Sequence, residues 1–355
     1  MTKAQKKSLA KLVLDSSEPE DVFGPDLKQD DFVAQFRMFA TQLHPDHNPG
    51  DRDYYTEVIT KLLNLRDKAE TKLANGTYNK KDAGISVQTK KGKYTIYGKP
   101  VEGDICDVYF ANNENGPPCA LKIAKRPQDR DLLENEQRVL TALLGCDDNV
   151  KGKITSHEMG YWPTFVEHSS IKTGNIVRPV NVSEKGQQQC FTLQQVMNSF
   201  PDGLDMADAA WMLRRLLEAL HWTHKQGYVH GAVLPTNVLI VPECHGLRLI
   251  DWCYAVPTKG MVHAVVTGSK DLYAPEIWDK QPATPATDVF MAAKMFQRIS
   301  KRKMPTSIRS LLNACTLSHP RARIATAKEA YDEISLHLLD AYGKPKFRPF
   351  VMPNN

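Results

Sequence analysis

The sequence predicts an α+β chain: an N-terminal helical hairpin, then a β-rich half, then a helical half. Three observations carry this. Apolar residues recur at helical spacing between Phe32 and Leu73, the pattern changes to strand-like runs after Gly84, and helical spacing returns from Met206. The 355 residues are 41% hydrophobic and 25% charged, which is ordinary globular composition and enough chain for more than one core.

Each element follows in order. Phe32, Phe36, Phe39, Ala40 and Leu43 form one helical stripe, with Asp30 or Asp31 as its cap. A loop with two prolines follows at 44–50, then a second stripe of Tyr55, Val58, Ile59, Leu62, Leu65, Ala69 and Leu73. Residues 3–14 form a further packing helix. Asn75-Gly76 is a turn signal, and the polar run at 79–84 ends in glycine, so it reads as a linker. Beyond it, 85–89 and 93–97 form a hairpin across Lys90-Lys91-Gly92. Further strands are expected at 105–111, 119–124, 164–169, 176–182 and 191–196, with a helix over 129–144. The resulting division is 1–78, linker 79–84, a β-rich lobe 85–197, a helical lobe 198–342 and a tail 343–355.

Composition excludes several classes. No run of eighteen apolar residues exists, so no membrane helix is expected. The basic N-terminus (Lys3, Lys6, Lys7) precedes only a short apolar stretch broken by Lys11, which is not a secretory signal. The cysteine count, seven, is odd and no Cys-x-x-Cys pair occurs, so reduced thiols in a cytoplasm are expected. Net charge is +5, unevenly spread: residues 1–80 hold 12 Lys+Arg against 13 Asp+Glu, and residues 294–348 hold 12 against 4. That basic stretch, with Lys301-Arg302-Lys303, reads first as a solvated face, and nucleic acid ranks last among partners.

His44-Pro45-Asp46 sits in the loop between two helices. Proline there stops the first helix and Asp46 supports the turn. In its context, from Phe36 to Asp51 and the helix beyond, the segment resembles the J domain of J-domain co-chaperones. The resemblance covers roughly residues 30–74. It implies that His44, Pro45 and Asp46 couple the module to a seventy-kilodalton heat-shock ATPase. The helix before the loop carries only Arg37 where that family presents a basic face.

Four further motifs occur in one order. Ala120-Leu121-Lys122 lies on a strand, and a glutamate on the next helix would orient that lysine. Glu136 is the first candidate, with core-facing Leu140 and Leu143 behind it; Glu134 competes. Then come His230 to Asn237, Leu249-Ile250-Asp251, and Tyr273-Ala274-Pro275-Glu276, with Asp288 and Arg323 beyond. In this order and spacing they resemble the protein-kinase fold over about residues 85–342. The resemblance implies ATP held by Gly103, Val108, Ala120, Lys122, Glu136 and Leu239, magnesium held by Asn237 and Asp251, and a structural Glu276–Arg323 pair. It also puts the nucleotide hinge near Gln195-Val196-Met197.

The departures are specific. Only Gly103 remains of the three phosphate-loop glycines, with Val101 and Cys106 in the other places. Gly231 stands where the catalytic-loop arginine is usual, Ala232 where the catalytic aspartate is, and Leu234 where the loop lysine is. Trp252-Cys253 replaces Phe-Gly after Asp251. Ala232 cannot accept a proton, so the expectation is an ATP-binding pseudokinase with a J-like segment, acting as scaffold or regulator. A weak, atypical Ser/Thr kinase is the alternative, and a co-chaperone whose second domain recruits clients is another.

Overall fold

The computed structural model describes residues 2–24, 29–74, 78, 85–145, 160–173, 175–186, 188–300, 304–344 and 347–353. The expected turn at Asn75-Gly76, the linker 79–84 and the triplet Lys301-Arg302-Lys303 lie outside the described residues. Two compact units are present, 1–84 and 85–355.

The first unit is helical: α1 (Lys3–Asp15), α2 (Pro19–Phe23), α3 (Gln29–Leu43) and α4 (Arg52–Ala74). Its core takes Leu9, Ala10 and Val13 from α1, Val22 and Phe23 from α2, Phe32 and Leu43 from α3, and Tyr55, Val58, Leu62, Leu65 and Ala69 from α4. This is more than a hairpin, because α1 and α2 pack on the α3–α4 pair. The expected caps Asp30 and Asp31 fall inside α3, which begins at Gln29.

The second unit opens with a six-stranded sheet. Its strands are β1 (Ser86–Gln88), β2 (Lys93–Glu102), β3 (Cys106–Asn113), β4 (Cys119–Ala124), β5 (Phe165–Thr173) and β6 (Ile176–Glu184). The spatial order is β1-β2-β3-β4-β6-β5, and every pairing is antiparallel. Helix α5 (Arg130–Leu143) buries Leu133, Glu136, Val139, Leu140 and Leu143. Next come β7 (Phe191–Thr192), α6 (Leu193–Ser199) and α7 (Met206–Lys225). The strand expected over 191–196 therefore lasts two residues. Thr192 caps α6: its hydroxyl accepts from the Gln195 N–H at 3.1 Å while Gln195 Oε1 accepts from the Thr192 N–H at 2.8 Å. That capping box outweighs the strand pattern and places Gln195, Val196 and Met197 on a helix rather than in a hinge. It also carries α6 across the expected lobe boundary at 197.

Beyond α7 lie β8 (Tyr228–Val229), β9 (Val238–Val241), β10 (Gly246–Leu249) and β11 (Val256–Pro257). Strands β10, β9 and β7 form one small sheet, and β11 and β8 another. Helices α8 (Pro275–Trp278), α9 (Pro285–Ile299), α10 (Thr306–Cys315) and α11 (Ala327–Tyr342) complete the unit. Most of α9 is buried, and with α7 it supplies the centre of the main core, around Trp252 and Phe296. The residues expected to be tail join that core through Phe350. The six cysteines among the described residues carry no disulfide. None of the described helices is long and apolar enough to cross a membrane.

Leu62 is fully buried in the first unit. Truncation of such a side chain costs about 2–5 kcal/mol. Leu62→Ala is expected to lower hydrogen-exchange protection across α1 to α4 and leave α7 and α9 unchanged.

Candidate functional site

Register places the central lysine. Strand β3 sets Val108 opposite Lys122, and β6 sets Asn181 opposite it on the other side. Helix phase then selects the carboxylate. Glu136 turns inward and is 5% exposed, whereas Glu134 turns outward and lies 3.8 Å from Arg130. Lys122 Nζ donates to Glu136 Oε1 at 3.0 Å and forms a short ion pair with Asp251. The Cys253 Sγ is 3.0 Å from the same ammonium. Burial alone would lower the pKa of Lys122, but Asp251, Cys253 and Glu136 outweigh it and hold the group well above its ordinary value. The buried Cys253 thiol is pushed up, away from the thiolate.

Glu136 is itself held. Asn181 Nδ2 donates to its Oε2 at 2.8 Å and to the Leu133 carbonyl at 2.9 Å. The Trp252 N–H donates to Glu136 Oε1 at 3.1 Å. Beside it, Asn135 Nδ2 donates to the Cys253 and Ala255 carbonyls at 2.9 and 2.8 Å, fastening α5 to the segment after Asp251. The sequence reading missed Asn181 and Asn135. The available signal was a polar residue flanked directly by Val180 and Val182.

Asp251 is in the left-handed region, φ 67°, a conformation a non-glycine residue holds only where its surroundings enforce it. The Ile250 N–H donates to the Asn237 carbonyl at 2.9 Å, which brings the two expected metal ligands onto adjoining backbone. Asn237 Nδ2 donates to the Ala232 carbonyl at 3.0 Å, leaving its Oδ1 with the Thr236 hydroxyl at 3.1 Å. His230 accepts at Nδ1 from the Ala232 N–H, and its Nε2 faces the Ile250 carbonyl at 3.1 Å. Complete burial lowers its pKa, in keeping with a neutral ring.

Ala232 is fully buried. Its methyl lies in an apolar cluster with Cys106, Ala124, Leu133, Cys253 and Tyr254, which Ala264 and Val266 join from the following segment. Gly231 is at φ 71°, and a Cβ there would meet Val262 Cγ2 at 2.9 Å and the Tyr254 carbonyl at 3.0 Å. An arginine has no room at that position. The Gly231 and His230 N–H groups instead bind Asp288 at 2.9 and 2.8 Å.

The remaining expected residues are spread along the unit. Gly103 forms the β2–β3 turn, where a Cβ would meet the Cys106 carbonyl at 2.5 Å. Ala120 faces Phe110 and Ser183 across the sheet, and Leu239, partly buried, lies on β9 opposite Arg248. In the first unit, His44 and Asp46 are exposed and Pro45 is buried. His44 Nδ1 accepts from the Asp46 N–H at 3.2 Å, and Arg52 lies 3.4 Å from Asp46.

Glu276 and Arg323 form a buried two-pronged pair at 2.7 and 2.8 Å, and Thr287 donates to the same carboxylate at 2.8 Å. Burial works to raise the Glu276 pKa, but the Arg323 and Thr287 hydrogen bonds bring it below the ordinary 4.5. A buried pair that loses one partner costs about 3–5 kcal/mol, so Arg323→Met is expected to lower the melting temperature sharply. With a lowered folded pKa, this pair contributes fully above the unfolded value and is lost as pH falls through the folded one. Wild type should therefore lose stability below about pH 4.5 more steeply than Glu276→Gln, as read by melting across acid buffers.

Comparison with known proteins agrees with this architecture. Residues 164–335 match the family model described as the protein kinase domain, a span that leaves Lys122 and Glu136 outside it. The chain is 38% identical over 88 residues to serine/threonine-protein kinase MRCK gamma of Homo sapiens, covering 24% of this chain and 6% of that protein. It is 27% identical over 120 residues to serine/threonine-protein kinase mos of Patiria pectinifera, covering 32% and 34%. It is 23% identical over 222 residues to the probable serine/threonine-protein kinase zyg-1 of Caenorhabditis elegans, covering 61% and 28%. The chain thus spans well under half of each of these relatives. What they share with it is a protein-kinase-like fold, joined here to N-terminal helices.

Proposed function

We propose that the second unit is a Mg-ATP-binding pseudokinase that acts as a nucleotide-stabilised scaffold or regulator. One observation carries the reading: Lys122, Glu136 and Asp251 form a partly buried charge cluster while Ala232 packs with apolar side chains. The donor chemistry fits the metal, since the Asp251 carboxylate and the Asn237 amide oxygen are the hard ligands that magnesium takes. Bound there, magnesium would neutralise phosphate charge. Lys122 would pair with phosphate oxygens, and Glu136, fixed by Asn181, would keep the lysine aimed. Nothing at Ala232 can take a proton from a hydroxyl. A general base typically contributes about 10²–10⁴-fold, so transfer is crippled even where binding survives.

The test is thermal. At a hundredfold excess over its dissociation constant, a ligand that binds only the folded state adds about 2.7 kcal/mol. Mg-ATP is expected to raise the melting temperature of wild type, and Asp251→Ala and Lys122→Met to abolish the rise. No shift at millimolar nucleotide would reject nucleotide binding. Incorporation of labelled γ-phosphate above the Asp251→Ala background would favour the alternative of a weak Ser/Thr kinase.

The first unit supports a second reading, a J-like co-chaperone segment. Its exposed His44 and Asp46, joined by a buried Pro45 between α3 and α4, motivate it. The expected outcome is stimulation of a seventy-kilodalton heat-shock ATPase by wild type and its loss in His44→Gln. If neither protein stimulates, this reading fails.

A further inference from the structure

Helix α11 ends at Tyr342, and Gly343 breaks it at φ 74°. The segment 347–353 then returns to the second unit as a separate strap. Its seat is built by three elements. Phe200 follows α6, Asp205 and Asp208 stand at the start of α7 with Trp211 one turn on, and His245 is on the β9–β10 turn. The Trp211 and His245 rings stack at 4.3 Å and 4°. Phe347 lies 4.5 Å from the His245 ring, and Phe350 lies 5.7 Å from Phe200 and 6.0 Å edge-on to Trp211. Between the two phenyl rings, Arg348 donates to both Asp208 oxygens at 3.2 and 2.5 Å and to Asp205 at 2.9 Å.

Of the four residues 347–350, only Phe350 is buried; Phe347, Arg348 and Pro349 are exposed. The Arg348–Asp205 pair is about half exposed and is screened by salt, whereas Asp208 is 15% exposed and takes the guanidinium with both oxygens. The His245 ring also hydrogen-bonds the Arg348 backbone, while Trp211 Nε1 and His245 Nε2 are buried without a hydrogen-bond partner among the described residues. The strap is therefore held by one buried ring and one two-pronged pair, and its tether adds a high effective concentration.

We propose that this groove is a docking site for a linear peptide of the pattern aromatic–Arg–Pro–aromatic, filled in cis by Phe347-Arg348-Pro349-Phe350 and open to a partner protein carrying the same pattern. Two aromatic seats set the ends of the motif, the acidic pair reads the arginine, and proline keeps the backbone extended between them.

A fluorescein-labelled peptide of residues 344–353 tests this on the full chain. The groove is vacated by Arg348→Ala with Phe350→Ala. Anisotropy should show the peptide binding the vacated chain at least about tenfold tighter than wild type, whose strap competes from its tether. Adding Asp208→Lys to the vacated chain should cost about tenfold, and a peptide carrying Arg348→Glu should recover it. Asp208 is chosen because Asp205 also caps α7 through the Ala207 N–H at 2.9 Å. If Phe350→Ala lowers the melting transition, the single exposed Arg348→Ala change serves in its place. Equal binding to wild type and a folded vacated chain, or no recovery on charge exchange, overturns the proposal. A wild-type dimer in sedimentation that Arg348→Glu abolishes would overturn occupancy in cis.

Discussion

A lysine ammonium taken out of water must find its counter-charges within reach, and Lys122 finds them on two other elements. Glu136 comes from α5 and Asp251 from the segment after β10. Each is then tied down by its surroundings, Glu136 by Asn181 and the Trp252 N–H, and Asp251 by a left-handed backbone. Helix α5, the sheet and the Asp251 segment are thereby fixed against one another by one charge. An uncompensated member would be expensive, because desolvation without pairing costs several kcal/mol. The buried Leu133, Val139, Leu140 and Leu143 fix the helix phase that presents Glu136 rather than Glu134.

The same segment accounts for the apolar surroundings of Ala232. Tyr254, Ala264 and Val266 pack with Ala232 and Cys106. Gly231 lets the Tyr254 carbonyl and Val262 close in at distances a side chain would forbid. Alanine at 232 and glycine at 231 are therefore compatible changes in one packed region. The charge cluster on one side is polar and satisfied, and the neighbouring volume is apolar.

Local chemistry shaped several boundaries. Thr192 and Gln195 cap α6 and remove a strand that the apolar pattern suggested. Asp205 caps α7 and at the same time contributes a carboxylate to the groove that takes Arg348. Gly343 ends α11 and releases the chain toward that groove. Each is a short-range hydrogen-bonding or backbone event, and each determines where a long-range contact becomes possible.

The order of the chemistry-bearing residues was legible in the sequence, as were most strands and the helical period of the first unit. Periodicity and motif spacing are properties of neighbouring residues, so no partner is needed to read them. The sequence ranked Glu136 ahead of Glu134 without excluding the latter, and Asn181 and Asn135 were not legible as its supports. Helix phase and strand register against distant elements decide these, and one sequence carries no direct measure of either. The seat of Phe350 and the apolar surroundings of Ala232 likewise belong to the tertiary structure. By itself the sequence determined which groups can hold charge, accept protons or break a helix. The fold decided which of them leave water together, and that shared burial is what turns a lysine, two carboxylates and an alanine into one site.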